Sequence, residues 1–314
     1  MTVPRRMQSA LHSAKMPGQF EVTPSMQLFV NQLTNVDFSY LDAQRGLVGE
    51  TWLASVILDG ILDEQGMVCD FGIVKQTLRY WLDEQLDHRL LVPAHSDRLE
   101  YRCHDGRITL TWHADQGDIE LDCPADAVTL ITTDCITATS TSAWCREQLK
   151  ASFPVNVDQL TLTFEPERID SAFYHYSHGL KKHNGNCQRI AHGHRSRIEI
   201  FCNGERSDEL EQQWAQRWRD IYIGTSADLV ANQEEGEGTG QHKGRYHFAY
   251  DAPQGHFELT LPQSQCYLIN TDTTVELIAE HLASTIATGL PGQHILVRAY
   301  EGINKGAIAQ RPQA

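Results

Sequence analysis

His178, in Tyr-Ser-His-Gly-Leu, stands shortly before Cys187-Gln-Arg-Ile-Ala-His192-Gly-His194, and these two motifs together offer three imidazoles and one thiol. Residues 190–200, with Arg197-Ile-Glu-Ile-Phe, read as a strand. Side chains two apart on a strand share a face, so His192 and His194 point together. His178 on a neighbouring strand supplies a third nitrogen. Three protein ligands with one position open is the arrangement of catalytic Zn²⁺, whereas four closed ligands would be structural. Cys187 either closes the site as the fourth ligand or stays free as a base. The alternative is that these are surface histidines of a chain with 15 of them. The convergence of His-x-His with a further His and a Cys favours the metal.

These residues need a scaffold, and composition bounds it. The 314 residues are enough for about two domains. A hydrophobic content of 41% is that of a globular protein. The formal charge of −15 argues against nucleic acid or an anionic membrane as partner, since both require clustered Lys and Arg. The eight cysteines form no CxxC pair or regular framework, and no apolar run is long enough for a signal peptide or a span. These features fit a reducing cytoplasm. Residues 1–25 read as a mobile tail, and Gln310-Arg-Pro-Gln-Ala as a loose end.

An internal repeat organises the rest. His104-Asp-Gly-Arg-Ile-Thr-Leu-Thr-Trp112 matches His242-Lys-Gly-Arg-Tyr-His-Phe-Ala-Tyr250, and Gln116-Gly-Asp-Ile-Glu-Leu matches Gln254-Gly-His-Phe-Glu-Leu. Leu130-Ile-Thr-Thr-Asp134 with Leu268-Ile-Asn-Thr-Asp272, and Phe38-Ser-Tyr40 with Tyr176-Ser-His178, keep the same 138-residue offset. The chain therefore reads as a tandem duplication with copies at 26–172 and 173–314.

Each copy has one coarse plan. Two strands end at Asp59-Gly60 or Asn203-Gly204, both hairpin signals. An amphipathic helix follows, marked by Val74, Leu78, Trp81, Leu82 and Leu86, or by Leu210, Trp214, Trp218 and Ile221. A Gly-turned hairpin, a second helix (142–150; 275–288) and a last strand (160–164; 295–300) complete it. The order ββαββαβ predicts an α+β fold, an antiparallel sheet with helices on one face. Residues 232–240 read as a flexible Gly/Glu loop.

The copies differ where chemistry is expected. Tyr40 stands opposite His178, and Val48-Gly-Glu50 opposite His192-Gly-His194, so the first copy has no metal site. The first copy alone carries Gly66-Met-Val-Cys-Asp-Phe71 and, at its helix end, Leu86-Asp87-His88, where the second has Gly224-Thr-Ser.

An aromatic strand ending in His, then Cys, then His-Gly-His, then Gly-Met-Val-x-Asp-Phe and Leu-Asp-His, then a late strand with Glu, resembles the 6-pyruvoyltetrahydropterin synthase and 6-carboxytetrahydropterin synthase family. The resemblance covers nearly the whole chain, once per copy, and implies two tunnelling-fold (T-fold) units. It implies zinc held by His178, His192 and His194, Cys187 as general base, an Asp87-His88 proton relay, and Glu301 as the pterin anchor. Glu165, in Thr-Phe-Glu-Pro, is the first copy's counterpart of Glu301 and shares the anchoring assignment with it. Family sites form between subunits, so each copy has kept the half-site that the other lost. The implied reaction is a zinc-dependent lyase step on 7,8-dihydroneopterin triphosphate, giving a carboxy- or pyruvoyl-pterin. Lys181, Lys182, Arg189, Arg195 and Arg197 either cradle the triphosphate or form a solvated loop. A homo-oligomer with cyclic symmetry is expected. The competing reading is a zinc-containing pterin- or purine-binding protein without catalysis.

Overall fold

The computed structural model describes residues 25–153, 155–230 and 244–312. The expected tail at 1–25 and the loop at 232–240 lie outside them, apart from Ser25.

The first half runs β1 (Met26–Asp42), β2 (Gly46–Gly60), α1 (Phe71–Gln85), β3 (Leu90–Pro93), β4 (Leu99–His104), β5 (Arg107–Ala114), β6 (Gly117–Pro124), β7 (Val128–Ile131), α2 (Ala138–Leu149) and β8 (Val157–Pro166). The second runs β9 (Phe173–His178), β10 (His192–Cys202), β11 (Glu205–Arg206), α3 (Asp208–Arg217), β12 (Ile221–Thr225), β13 (Arg245–Ala252), β14 (Gly255–Pro262), β15 (Cys266–Ile269), α4 (Val275–Gly289), β16 (Ile295–Tyr300) and β17 (Gly306–Arg311).

Apolar periodicity explains the helices. Val74, Leu78 and Leu82 make one buried stripe on α1, and Asp70 caps it by accepting from the Gly72 and Ile73 amides. The Gly66–Phe71 motif thus starts a helix. Ile278, Ala279, Leu282, Ala283 and Ile286 make the stripe of α4, capped by Thr274. Both helices of each half pack on one face of its sheet. In the first core Leu78, Leu82, Cys145 and Leu149 meet Phe38, Trp52, Ala54 and Phe164; in the second Trp214, Ile278 and Leu282 meet Tyr174, Tyr176, Ile198 and Val297.

The sheets are mixed, which corrects the antiparallel expectation. The orders are β7-β3-β1-β2-β8 and β15-β12-β9-β10-β16-β17. Pairs β1–β2, β2–β8, β9–β10 and β10–β16 are antiparallel, whereas β1–β3, β3–β7, β9–β12 and β12–β15 are parallel. The reason is topological: after the helix, the strand is laid beyond β1 or β9 and runs opposite to β2 or β10, so it must run with its new neighbour.

Four local expectations also change. Asn203 and Gly204 form a tight β10–β11 turn at φ 53° and 88°, but Asp59-Gly60 ends β2 without a hairpin. Ile221 opens β12, because helix α3 stops at Arg217. Gln310 and Arg311 belong to β17, paired with Leu296 and Ile295, so they are no loose end. The inserted hairpins merge into one sheet, β13-β14-β6-β5-β4, joined where Glu258, Leu259 and Thr260 pair with Asp122, Leu121 and Glu120. A third core lies under this sheet, with Trp112, Leu121, Phe248, Phe257 and Leu259 against Leu41, Leu90 and Ile190.

The two halves meet backbone to backbone. A Cβ on Gly193 would lie 2.6 Å from the Gly49 Cα and 2.4 Å from the Tyr176 carbonyl oxygen, so only glycine permits the approach. Beside it, buried Ser39 and Ser177, 138 residues apart, share a 2.7 Å hydrogen bond. Positions matched by the repeat thus touch each other.

Candidate active site

The alternation of β9 and β10 builds the histidine cluster. His192 pairs with His178 across the ladder and His194 with Tyr176, all three rings being fully buried. His178 Nδ1 lies 2.9 Å from the Thr273 carbonyl oxygen, and His192 Nδ1 lies 2.8 Å from that of Arg189. A carbonyl only accepts, so each Nδ1 carries the proton and each Nε2 presents a lone pair. The Nε2 atoms of all three histidines are buried without a partner, and one ligand nitrogen per ring lies within 4.8 Å of the others. Burial, and then the neighbouring rings, hold His178 and His192 well below the ordinary imidazole range. Buried imidazoles with unpaired, converging nitrogens fit a metal ion.

A second group adjoins it from the other half. His88 follows α1 in a left-handed conformation at φ 53°, and its amide donates to the Asp37 carbonyl at 2.6 Å. The Asp87 carboxylate takes the Asp37 amide at 2.8 Å on one oxygen and contacts His88 Nδ1 with the other. Cys187 sits in a one-turn 3-10 helix, Asn186–Gln188. Ligand atoms of His88, Cys187 and His192 lie within 4.8 Å of one another. Burial opposes charge on His88, but Asp87 and then Cys187 outweigh it and push its pKa up to about 10.

Asp37, which the sequence did not single out, completes the centre from the first half. Its Oδ1 lies 3.2 Å from His194 Nδ1 and accepts from Thr51 Oγ1 at 2.6 Å, while its Oδ2 lies 3.3 Å from Lys305 Nζ. Burial would raise this carboxyl; His194, then Lys305 and Thr51, hold it far below the carboxylate range instead. The one available signal was a charged residue three positions before Tyr40 on its strand, as His175 precedes His178.

Glu301, in the β16–β17 turn, lies 3.9 Å from His194 Nε2 and 3.7 Å from Lys305 Nζ. Glu165 is elsewhere, and its equivalence to Glu301 fails. Ala54 pairs with Phe164 as Ile198 pairs with Ala299, so Tyr300 corresponds to Glu165 and Pro166 to Glu301. One residue of slip on a strand sends a side chain to the opposite face, and Glu165 is exposed. The five cations near the motif are also dispersed. Lys181 pairs with Asp228, Lys182 with Asp272 and Arg197 with Glu167, Arg195 lies over the Phe173 ring, and Arg189 is buried.

The matching position in the other half holds different chemistry. The ladders place Tyr40, Val48 and Glu50 where His178, His192 and His194 stand. Asp220, at φ 54°, takes the place of His88. Arg45 binds Asp220 and donates to Tyr40 Oη at 2.9 Å, and His175 Nδ1 lies 3.8 Å from Glu50 Oε2. A cation already fills this half-site.

A fold of mixed sheets with a buried three-imidazole centre defines the class of candidate: an α+β protein with a histidine cluster that could hold a metal ion. The family model described as 6-pyruvoyl tetrahydropterin synthase matches residues 38–170, a segment that ends before the three histidines and Cys187. Over that segment the chain is similar to the 6-pyruvoyl tetrahydropterin synthase family. Similar solved structures include 6-pyruvoyltetrahydropterin synthase from Plasmodium vivax, at 19% identity and a TM-score of 0.36, covering 46% of this chain and 99% of that one. The Plasmodium falciparum 6-pyruvoyl tetrahydropterin synthase gives 17% identity, a TM-score of 0.36 and the same coverage. No curated protein matches. Among the described residues no helix is long and apolar enough to cross a membrane.

Proposed function

We propose that the chain is a tandem pair of tunnelling-fold units, at 26–172 and 173–314, that share one zinc-dependent pterin lyase site acting on 7,8-dihydroneopterin triphosphate. The observation that carries this reading is the proximity of His88, from one half, to Cys187 and His192, from the other, within 4.8 Å. His178, His192 and His194 would hold the zinc. Bound there, the ion would supply Lewis acidity to the vicinal hydroxyls of the substrate side chain.

The remaining roles belong to the protein. Cys187 Sγ removes the carbon-bound proton, and the charged His88 ring stabilises the thiolate that does so. Asp87 fixes the His88 tautomer and orientation through Nδ1, leaving Nε2 to exchange a proton with substrate. Glu301 accepts the two N–H groups of the aminopyrimidinone, a pairing that matches a carboxylate's two oxygens. Release of triphosphate with a pyruvoyl product, or loss of the side chain to a carboxy-pterin, would both begin from this deprotonation.

The test is turnover of dihydroneopterin triphosphate by zinc-loaded protein, with products identified by mass, beside Cys187→Ala and His88→Ala. Turnover by the parent and its loss in both variants supports the lyase. A zinc-loaded parent that binds pterin without turning it over defeats it.

A further inference from the structure

Two side chains of the inserted β13–β14 hairpin reach across to the segment carrying Cys187. Gln254, in the turn, makes three contacts there: its backbone N–H donates to Gln188 Oε1 at 2.7 Å, its side-chain Nε2 to Asn186 Oδ1 at 2.8 Å, and its side-chain Oε1 accepts from Arg189 Nε at 3.2 Å. These partners are the residues before Cys187 and the two after it. Tyr250 adds a fourth contact, its buried hydroxyl donating to the Gln188 carbonyl at 2.8 Å. Arg189, 5% exposed, extends the chain of bonds by donating from Nη1 to the His88 carbonyl at 3.4 Å.

The repeat provides an internal comparison. Gln116 occupies the place of Gln254 in the β5–β6 turn, and its Nε2 donates to the Gln44 carbonyl at 2.9 Å, in the turn between β1 and β2. The same glutamine therefore clamps the first connection of both halves. In the first half that connection is a short turn, Ala43 to Arg45; in the second it runs from 179 to 191 and carries Cys187. A one-turn helix in a long connection has little rigidity of its own, so its geometry must come from what holds it.

We propose that Gln254, assisted by Tyr250, is a positioning residue that sets Cys187 against His88, so that the inserted hairpin is a working part of the catalytic centre. This rests on the reading of Cys187 as the general base. A misplacement of about 1 Å can cost about a hundredfold in rate without changing substrate affinity. Gln254→Ala should therefore lower kcat by about tenfold to a hundredfold, with KM within about twofold of the parent. Gln254→Glu keeps the acceptor for Arg189 but loses the donor to Asn186, and should fall between the two. Tyr250→Phe removes one bond and keeps the ring in the core, so it serves if the alanine variant does not fold.

The experiment pairs those kinetics with the rate at which iodoacetamide modifies Cys187 at fixed pH, followed on the Cys187 peptide by mass spectrometry, with zinc content and melting temperature as controls. The expected result is a labelling rate changed at least about threefold in Gln254→Ala, restored in part by Gln254→Glu, with zinc content unchanged. Labelling and kcat both at parental values in the Ala and Phe variants would overturn the proposal. Labelling is read without substrate, so altered labelling in a protein that never turns over the pterin would sink the lyase reading and leave the clamp standing.

Discussion

Replacing Asp37 by Asn should weaken metal binding although Asp37 is not a ligand. Its Oδ1 is 3.2 Å from His194 Nδ1, and both side chains are almost wholly buried. Two unit charges at that distance interact by about 5 kcal/mol at an effective dielectric of about 20. A metal-bound imidazole carries only a fraction of a charge on its ring, so a share of about 1.4–2.8 kcal/mol remains, or about tenfold to a hundredfold in affinity. Competition with a chromophoric zinc chelator measures this directly. The substitution also turns an amide nitrogen towards Lys305 or Asn35, which are donors. Lys305→Met therefore serves as the control that removes the lysine contact alone, and it should bind zinc within about twofold of the parent. Parental affinity in Asp37→Asn, at unchanged melting temperature, would refute the argument, as would an equal loss in Lys305→Met.

Two further outcomes follow from the buried junction. Burial raises Glu50 from 4.5 to about 7, against the Thr51 amide and Arg195, and burial, with Arg45, lowers His175 from 6.5 to about 4. The folded state thus binds a Glu50 proton that the unfolded state has lost, which reduces stability from about pH 4.5 to 7; His175 does the reverse below 6.5, so the two slopes cancel between about 4.5 and 6.5. In Glu50→Gln the His175 slope stands alone, and urea titrations should show stability rising from about pH 4 to 6.5 and exceeding the parent by up to about 3 kcal/mol at pH 8. A parental pH profile in that variant would dismiss the coupling. Gly193→Ala drives a methyl into the Gly49 and Tyr176 backbones, so it should cost about 3 kcal/mol or more and lower zinc content, because the residue stands between two of the histidines. A variant with the parent's melting temperature would show that the sheets can part without penalty.

Much of this arrangement is written in local pattern. The 138-residue register brings Ser39 to Ser177, the spacing of His192 and His194 puts them on one strand beside His178, and the stripe of α1 is that of Val74, Leu78 and Leu82. What escaped were facts of long-range pairing. Whether the strand at Leu90 lies beside β1 or β2 decides its direction, and nothing in its four residues tells. Glu165 and Glu301 stand in similar sequence but one residue apart in register, a slip visible only in the ladders. Asp37 acts on His194 and Gln254 on the Cys187 segment, each through contacts across dozens of residues. The merging of β6 with β14 likewise depends on where the two hairpins meet in space.

The contact of Ser39 with Ser177, and of Asp37 with His194, also changes how the centre responds to dilution. When partners are separate molecules, the fraction assembled falls with their concentration. Joined in one chain, they meet at an effective concentration fixed by the connection, on the order of millimolar for short flexible tethers. Formation of this centre is then first order in protein. The covalent link also fixes the ratio of the halves at one to one, and with Arg45 seated in the matching position the expected yield is one metal ion per chain, at nanomolar protein as at micromolar.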